Sequence, residues 1–365
     1  MTVSRGFRVA LVAAAAAILL TGARAFTQAG LTDPATVTDP ASKSLPNPNP
    51  TVVKNWGQLP NGRMWGSTAG VDIGPDGNVW AYDRCGTNTC IGSNLDPIFK
   101  FDRTSGKMLA GFGGGLINFP HGIHVDREGN VWVTDGQANK EGTKGHQVLK
   151  FSPQGKVLMT LGKAGVAGNG PDTFNEPNDV ITAPNGDIFV ADGHSGQNPQ
   201  PPPNANARIV KFTKDGKYIK EWGKLGSGPG EFRTPHALAM DSRGRLFVAD
   251  RGNHRLQIFD QEGKFLASWV QFSRISGIFI DKNDMLYAID SETSPERHPG
   301  WKTGIRIGST KEDRVLSFIP PHESKGPHGA AGEGIAVDPD GNVYGAEGPI
   351  SRPFAGGGLT KYVKK

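Results

Sequence analysis

Cysteine is nearly missing from these 365 residues: Cys85 and Cys90, in CGTNTC, are the two present. Two lone thiols do not make a metal site, but in an exported chain they suit a small disulfide loop worth about 2 kcal/mol by loop entropy. Long apolar runs are scarce too. The one such run, residues 9–20, is twelve residues long, too short to span a hydrocarbon core of about 30 Å. It is preceded by MTVSRGFR and followed by Ala23-Arg24-Ala25, the charged, apolar and small-residue order of a secretory signal peptide. Residues 1–25 therefore read as a signal peptide, and the mature chain as exported, periplasmic or secreted, with no stable membrane insertion. A basic stripe is also lacking. Removing Arg5, Arg8 and Arg24 with that segment lowers the formal charge from +5 to +2, and the remaining basic residues are scattered, so no nucleic-acid partner is indicated. Residues 26–50 are rich in Pro, Ser, Thr and Asn and poor in large apolar side chains, which predicts an extended or disordered leader.

What is present is repetition. Residues 234–265, TPHALAMDSRGRLFVADRGNHRLQIFDQEGKF, hold three alternating segments of four to six residues with turn signals between them. That pattern predicts antiparallel strands and cannot be fitted as a helix. The second strand of each copy ends in an acid: Asp83, Asp135, Asp192, Asp250, Asp290 and Glu347. The third strand repeats an aromatic at Phe101, Phe151, Phe212, Phe259, Phe318 and Tyr362. Six units of four short strands predict an all-β, six-bladed β-propeller over residues 51–365. The last copy stops after its third strand, and an orphan strand at residues 52–57 precedes the first, so the N-terminal strand is expected to complete the last blade and cover its open edge. Blade five is the weakest copy, since IPPHESKGPHG follows Phe318 where a fourth strand is expected. Two long insertions follow the second strands of blades three and five, after Asp192 and Asp290, and are expected to share one face.

The residue just before each first strand falls at the mouth of the axial channel. In order these are Ala69, His121, Asn178, His236, Ser276 and Glu333. His121, His236 and Glu333 occupy alternate blades, about 120° apart in a six-fold ring, which converges two imidazoles and a carboxylate on one axial point with a side left open. That is the donor set and geometry of a catalytic divalent metal, zinc first, with iron or manganese also possible. His328, five residues upstream of Glu333, is a rival third ligand. A second ring, following the strand-end acids, is Arg84, Gly136, Gly193, Arg251, Ser291 and Gly348. Arg84 and Arg251 stand on opposite blades as a pair of forks for a substrate carboxylate. The strand-end acids read as structural acceptors between blades.

The copies resemble NHL repeats. Residues 56–269, with NWGQLPNGRMWGS, NFPHGIHVDREGNVWVTD, FNEPNDVITAPNGDIFVADG and GEFRTPHALAMDSRGRLFVADRGNHRLQIFD, resemble the catalytic domain of the peptidyl-α-hydroxyglycine α-amidating lyase family. The resemblance implies cleavage of a C-terminal α-hydroxyglycine to a peptide amide and glyoxylate, on zinc held by three histidines, with a tyrosine, two arginines and a channel calcium. His121 and His236 match two of the zinc histidines, and Arg84 and Arg251 match the arginines. Glu333 stands at the third histidine, Gly334 at the aspartate associated with calcium, and His194 at the tyrosine. His194 is thus the candidate base. The expectation is a monomeric, metal-dependent, lyase-like enzyme acting on a small carboxylate-bearing substrate or a peptide C-terminus. The alternatives are a non-catalytic propeller binding a peptide or glycan, and a lactonase-like hydrolase.

Overall fold

A computed structural model describes residues 1, 32–322 and 331–365. The expected signal segment beyond Met1, the first part of the expected leader and His328 lie outside the described residues. Each repeat folds as a four-stranded antiparallel sheet, and among the described residues there are six such sheets. The first strands, Thr68–Ile73, Pro120–Val125, Pro177–Thr182, Pro235–Met240, Gly277–Ile280 and Gly334–Val337, each neighbour the first strand of the next blade, and the sixth neighbours the first. The sheets therefore form a closed ring around an axis. The tight turn after each first strand needs a left-handed residue. Glycine supplies it at Gly77, Gly129, Gly186, Gly244 and Gly341, and Asp284 (φ 59°) supplies it in blade five, in keeping with the tolerance of Asp for this region.

The sixth blade closes as expected. Strand Thr51–Trp56 pairs antiparallel with Leu359–Val363, in register Thr51↔Val363, Val52↔Tyr362 and Trp56↔Leu359. Trp56 lies edge-on to Tyr344 of blade six at 4.9 Å and to Phe101 of blade one at 6.0 Å. It thereby joins the last blade to the first.

Blade five departs from the expected register. Its third strand is Gly304–Ser309 and its fourth is Val315–Ile319, so Phe318 belongs to the fourth strand, opposite Arg306. The aromatic of the repeat is missing from the third strand. Gly308 takes its place opposite Leu286, and the ring of Phe272, from the preceding loop, fills the space: a Cβ on Gly308 would meet it at 2.7 Å. Following the aromatic therefore led past the true third strand. The insertion shrinks to residues 291–303, and no fourth strand is lacking.

The expected leader is also corrected where it is described. Asp39 is buried, accepts from the Lys302 backbone N–H (2.9 Å) and pairs with the buried Arg306 (2.8 Å). The Phe318 N–H donates to the Pro46 carbonyl. Low apolar content did not prevent packing, because one buried ion pair and backbone bonds tie the segment to blade five.

Trp56→Ala is expected to cost about 3–5 kcal/mol, the range for a buried aromatic truncation. This should appear as a lower urea midpoint with an unchanged slope. A shift no larger than that of an exposed-site control would show that the seam does not hold the ring closed.

Candidate active site

The strand-end acids fix the loops that lead into the first strands. Asp135 accepts from the Asn118 and Phe119 N–H groups, immediately before strand Pro120–Val125, and Asp250 accepts from the Arg233 N–H before Pro235–Met240. These bonds lie within one blade rather than between blades, because each acid turns back on the loop that precedes its own first strand. His121 and His236 follow directly from those clamped loops.

Each imidazole is then aimed by the next blade. His121 Nδ1–H donates to the Asn178 carbonyl (2.8 Å), and His236 Nδ1–H donates to the Ser276 carbonyl (2.6 Å). Both acceptors are the corresponding residues of the neighbouring blades. The arrangement leaves both Nε2 lone pairs facing inward, and both Nε2 atoms are buried without a hydrogen-bond partner. A buried imidazole with a pinned Nδ1 and an orphaned Nε2 is how metal-binding histidines are presented.

The third imidazole is that of His194, at the start of the blade-three insertion. Ligand atoms of His121, His194 and His236 all lie within 4.8 Å of one another, with ring centroids 4.7 Å apart for His121 and His236 and 5.2 Å for His121 and His194. The insertion is built into the site here. The Ser195 N–H donates to Glu176 (2.8 Å), Thr234 Oγ donates to the His194 carbonyl (3.1 Å), and a Cβ on Gly196 would meet the Arg233 carbonyl at 1.9 Å. Burial, reinforced by nearby charge, holds His121 and His236 well below the ordinary histidine range and brings His194 to about 3. All three are neutral near neutrality, as ligation requires.

Glu333, expected in the metal set, stands beside this trio. Its Oε1 lies 3.7 Å from His236 Nε2 and 3.6 Å from Arg251 Nη1. Burial raises its pKa against the opposing pull of Arg84 and Arg251. Arg251 is fully buried. Its Nη2 donates to His194 Nε2 (3.1 Å), while its Nε and Nη1 have no hydrogen-bond partner. Arg84 is more fully occupied, since Nε donates to the Pro120 carbonyl (2.9 Å), Nη1 to Asn88 (2.9 Å), and the guanidinium lies 4.2 Å over Phe119. The loop that carries it is closed by the expected Cys85–Cys90 disulfide.

Three further residues join from outside the two rings. Arg274 donates to the Arg251 carbonyl (3.3 Å), to Gln197 of the blade-three insertion, and to Glu292 of the blade-five insertion (3.1 Å). Glu292 also lies 3.7 Å from Arg251 Nη1. The two insertions thus meet over the site, as their shared position after second strands implies. The sequence signal for Arg274 was its place two residues before Ser276, which the ring alignment passed over. Three guanidinium groups and two carboxylates surround neutral imidazoles, which leaves the site favourable to an anion. On the axial side, His121, Asn178, His236, Ser276 and Glu333 border a cavity of about 300 Å3 that continues down the channel past His124 and Asp72.

A model of the NHL repeat matches residues 232–259. Peptidyl-glycine alpha-amidating monooxygenase B of Xenopus laevis is 33% identical over 264 residues, covering 68% of this chain and 27% of its own length. A probable peptidyl-alpha-hydroxyglycine alpha-amidating lyase of Caenorhabditis elegans is 31% identical over 211 residues, covering 53% of this chain and 55% of its own. The chain thus spans about a quarter to a half of the length of these relatives. A gluconolactonase of Xanthomonas campestris shares the propeller fold at TM-score 0.56 and 15% identity, covering 85% of this chain and 88% of that one. The chain is an NHL-repeat propeller similar to the amidating lyases.

The blade-five insertion is secured by a second histidine group. His298 bonds Ser273 Oγ (3.1 Å) and stacks between His254 (4.0 Å) and Trp301 (4.5 Å). Burial lowers His298 to about 3 and His254 to about 4. For a histidine depressed in the folded state, the unfolded chain binds the extra proton between about pH 3 and 6.5, so its stabilisation at neutral pH is lost as pH falls through that window. The stability advantage of wild type over His298→Gln, measured by melting with chelator present, is therefore expected to be larger at pH 7.5 than at pH 5. Titrating carboxylates common to both proteins cancel in the difference, and an advantage independent of pH would contradict the assignment.

Proposed function

We propose that this chain is an exported, monomeric, metal-dependent lyase-like enzyme that acts on a small carboxylate-bearing substrate, with a peptide ending in α-hydroxyglycine as the first substrate to test. The observation that carries the reading is the trio of neutral imidazoles, two of them with orphaned Nε2 atoms at the channel mouth. Their donor chemistry fits a first-row divalent ion, zinc included. His121, His194 and His236 would hold it. This replaces the role of base expected for His194; ligation through Nε2 would displace the bond that this atom accepts from Arg251 (3.1 Å). A calcium ion gains no support from position 334, where a Cβ would meet the Ala69 carbonyl at 3.0 Å.

When bound, such an ion acts as a Lewis acid that polarises an oxygen of the substrate. The chain's own residues do the remaining work. Arg251, whose Nε and Nη1 make no hydrogen bond, would bind the substrate carboxylate and orient it. Arg84 contributes charge more than bonds, because its Nε and Nη1 are already engaged. The two insertions, joined through Arg274, Gln197 and Glu292, exclude water from above. In the reaction implied by the relatives' names, the hydroxyl proton departs, its oxygen forms the glyoxylate carbonyl, the C–N bond breaks and the amide nitrogen gains a proton.

Mature protein reconstituted with zinc is expected to carry one ion per chain and to release glyoxylate from a peptidyl-α-hydroxyglycine. His236→Ala should lose both the ion and the activity. A metal-free wild type after reconstitution would instead favour the peptide- or glycan-binding propeller. A metal-loaded protein inactive on this peptide but active on a lactone would favour the hydrolase.

Arg251→Lys is expected to lower kcat/KM about ten- to a hundredfold, the size of losing a charge-assisted hydrogen bond, with little change in melting temperature, because Arg251 makes few side-chain bonds to the fold. A melting-temperature loss as large as that of Trp56→Ala would make Arg251 a structural tie.

A further inference from the structure

Asn178 stands on the strand-entry ring of blade three, between the blades of His121 and His236. It is buried, and it sits where the pairing of strand Pro177–Thr182 with Ile188–Asp192 slips between Pro177 and Asp179. A bulge of this kind re-aims a side chain out of the regular alternation. His236 lies in the same kind of slip, between Pro235 and Ala237. At both positions regular pairing yields to a polar residue that borders the axial cavity.

Asn178 is bonded toward all three histidines. Its backbone carbonyl accepts from His121 Nδ1–H (2.8 Å). Its side-chain Nδ2 donates to the Gly193 carbonyl (3.0 Å) and to the Pro235 carbonyl (2.9 Å). Those two carbonyls belong to the peptide groups that lead into His194 and His236, so the amide holds the planes from which both side chains start. Its orientation is dictated by these acceptors. Turning the amide over would set Oδ1 against two carbonyl oxygens. As it stands, Oδ1 is buried without a hydrogen-bond partner, which is costly. The amide is therefore held for its two donors. Ser or Thr would offer one donor, and an ionised Asp none.

Building on the three-histidine reading above, we propose that Asn178 is a positioning residue that fixes the spacing of the imidazoles. It holds the ring of His121 through its carbonyl and the chain entering His194 and His236 through its amide. In this role it touches neither ion nor substrate. One side chain on blade three thus ties its neighbours on blades two and four to the insertion that carries the third histidine.

Cobalt(II) binding to the mature protein tests this without relying on activity. Asn178→Ala keeps the backbone carbonyl and removes both side-chain donors. It is expected to bind cobalt about ten- to a hundredfold more weakly, the effect of removing a partner that orients metal ligands, and to change the visible absorption of the bound ion as the imidazoles shift. Phe151→Leu, a truncation in the core of blades one and two, is the control: it should lower the melting temperature while leaving affinity and spectrum as in wild type. If Asn178→Ala does not fold, Asn178→Ser, which retains one donor, is expected to weaken binding in the same direction by a smaller factor. Affinity and spectrum altered no more than in Phe151→Leu, in whichever Asn178 variant folds, would overturn the proposal while leaving the three histidines in place. No cobalt on wild type would overturn the three-histidine reading itself, and this proposal with it.

Discussion

The pairing of strand Thr51–Trp56 with Leu359–Val363 is the contact on which the site depends. Without it the last sheet would end in an open edge, and the first strands would have no reason to stand at equal angles about an axis. With it, the residue at the entry of each first strand, which for His121 and His236 is the second residue of the strand rather than the one before it, is carried to the channel mouth, and side chains far apart in the chain become neighbours. His121 and His194 come from blades two and three and His236 from blade four, yet their rings lie within 5.5 Å of one another.

Closure alone would leave those rings free to rotate. The bonds from His121 to the Asn178 carbonyl and from His236 to the Ser276 carbonyl remove that freedom using backbone groups that the ring geometry places there. Burial then keeps the imidazoles neutral. The same burial leaves Arg251 and Glu333 with donors and acceptors that nothing in the fold satisfies. Buried polar groups of this kind are costly, and here they adjoin the imidazoles, Glu333 Oε1 at 3.7 Å from His236 Nε2 and Arg251 Nη2 bonded to His194, which is the physical basis for reading the region as a site rather than as core.

Much of the fold was legible because a propeller blade is a local object. Alternation within short strands and the turn residues between them act over fewer than ten residues, and the strand-end acids over 16 or 17; the repeat made them recognisable. Blade five shows the limit. Its register was misplaced because Phe272, from outside the strand, fills the position of the missing aromatic against Gly308, and a pattern of identities along the chain does not reveal a side chain supplied from elsewhere. The leader was misjudged for a related reason, since Asp39 is held by Arg306 across 267 positions.

By itself the sequence determined the six-fold repeat, the closing strand, the short disulfide loop and the placement of His121, His236 and Glu333 on alternate blades, because all of these follow from local pattern and from counting repeats. Only the tertiary structure decided which groups share the site. The blade-three insertion could have led His194 away from the axis, but contacts of Ser195 with Glu176 and of Gly196 with Arg233 fold it inward beside the other two imidazoles. Arg274 and Glu292 enter through loops whose course no repeat dictates. Distances between side chains on different blades depend on burial and on bonds to neighbouring backbones, and neither is encoded at any single position of the chain.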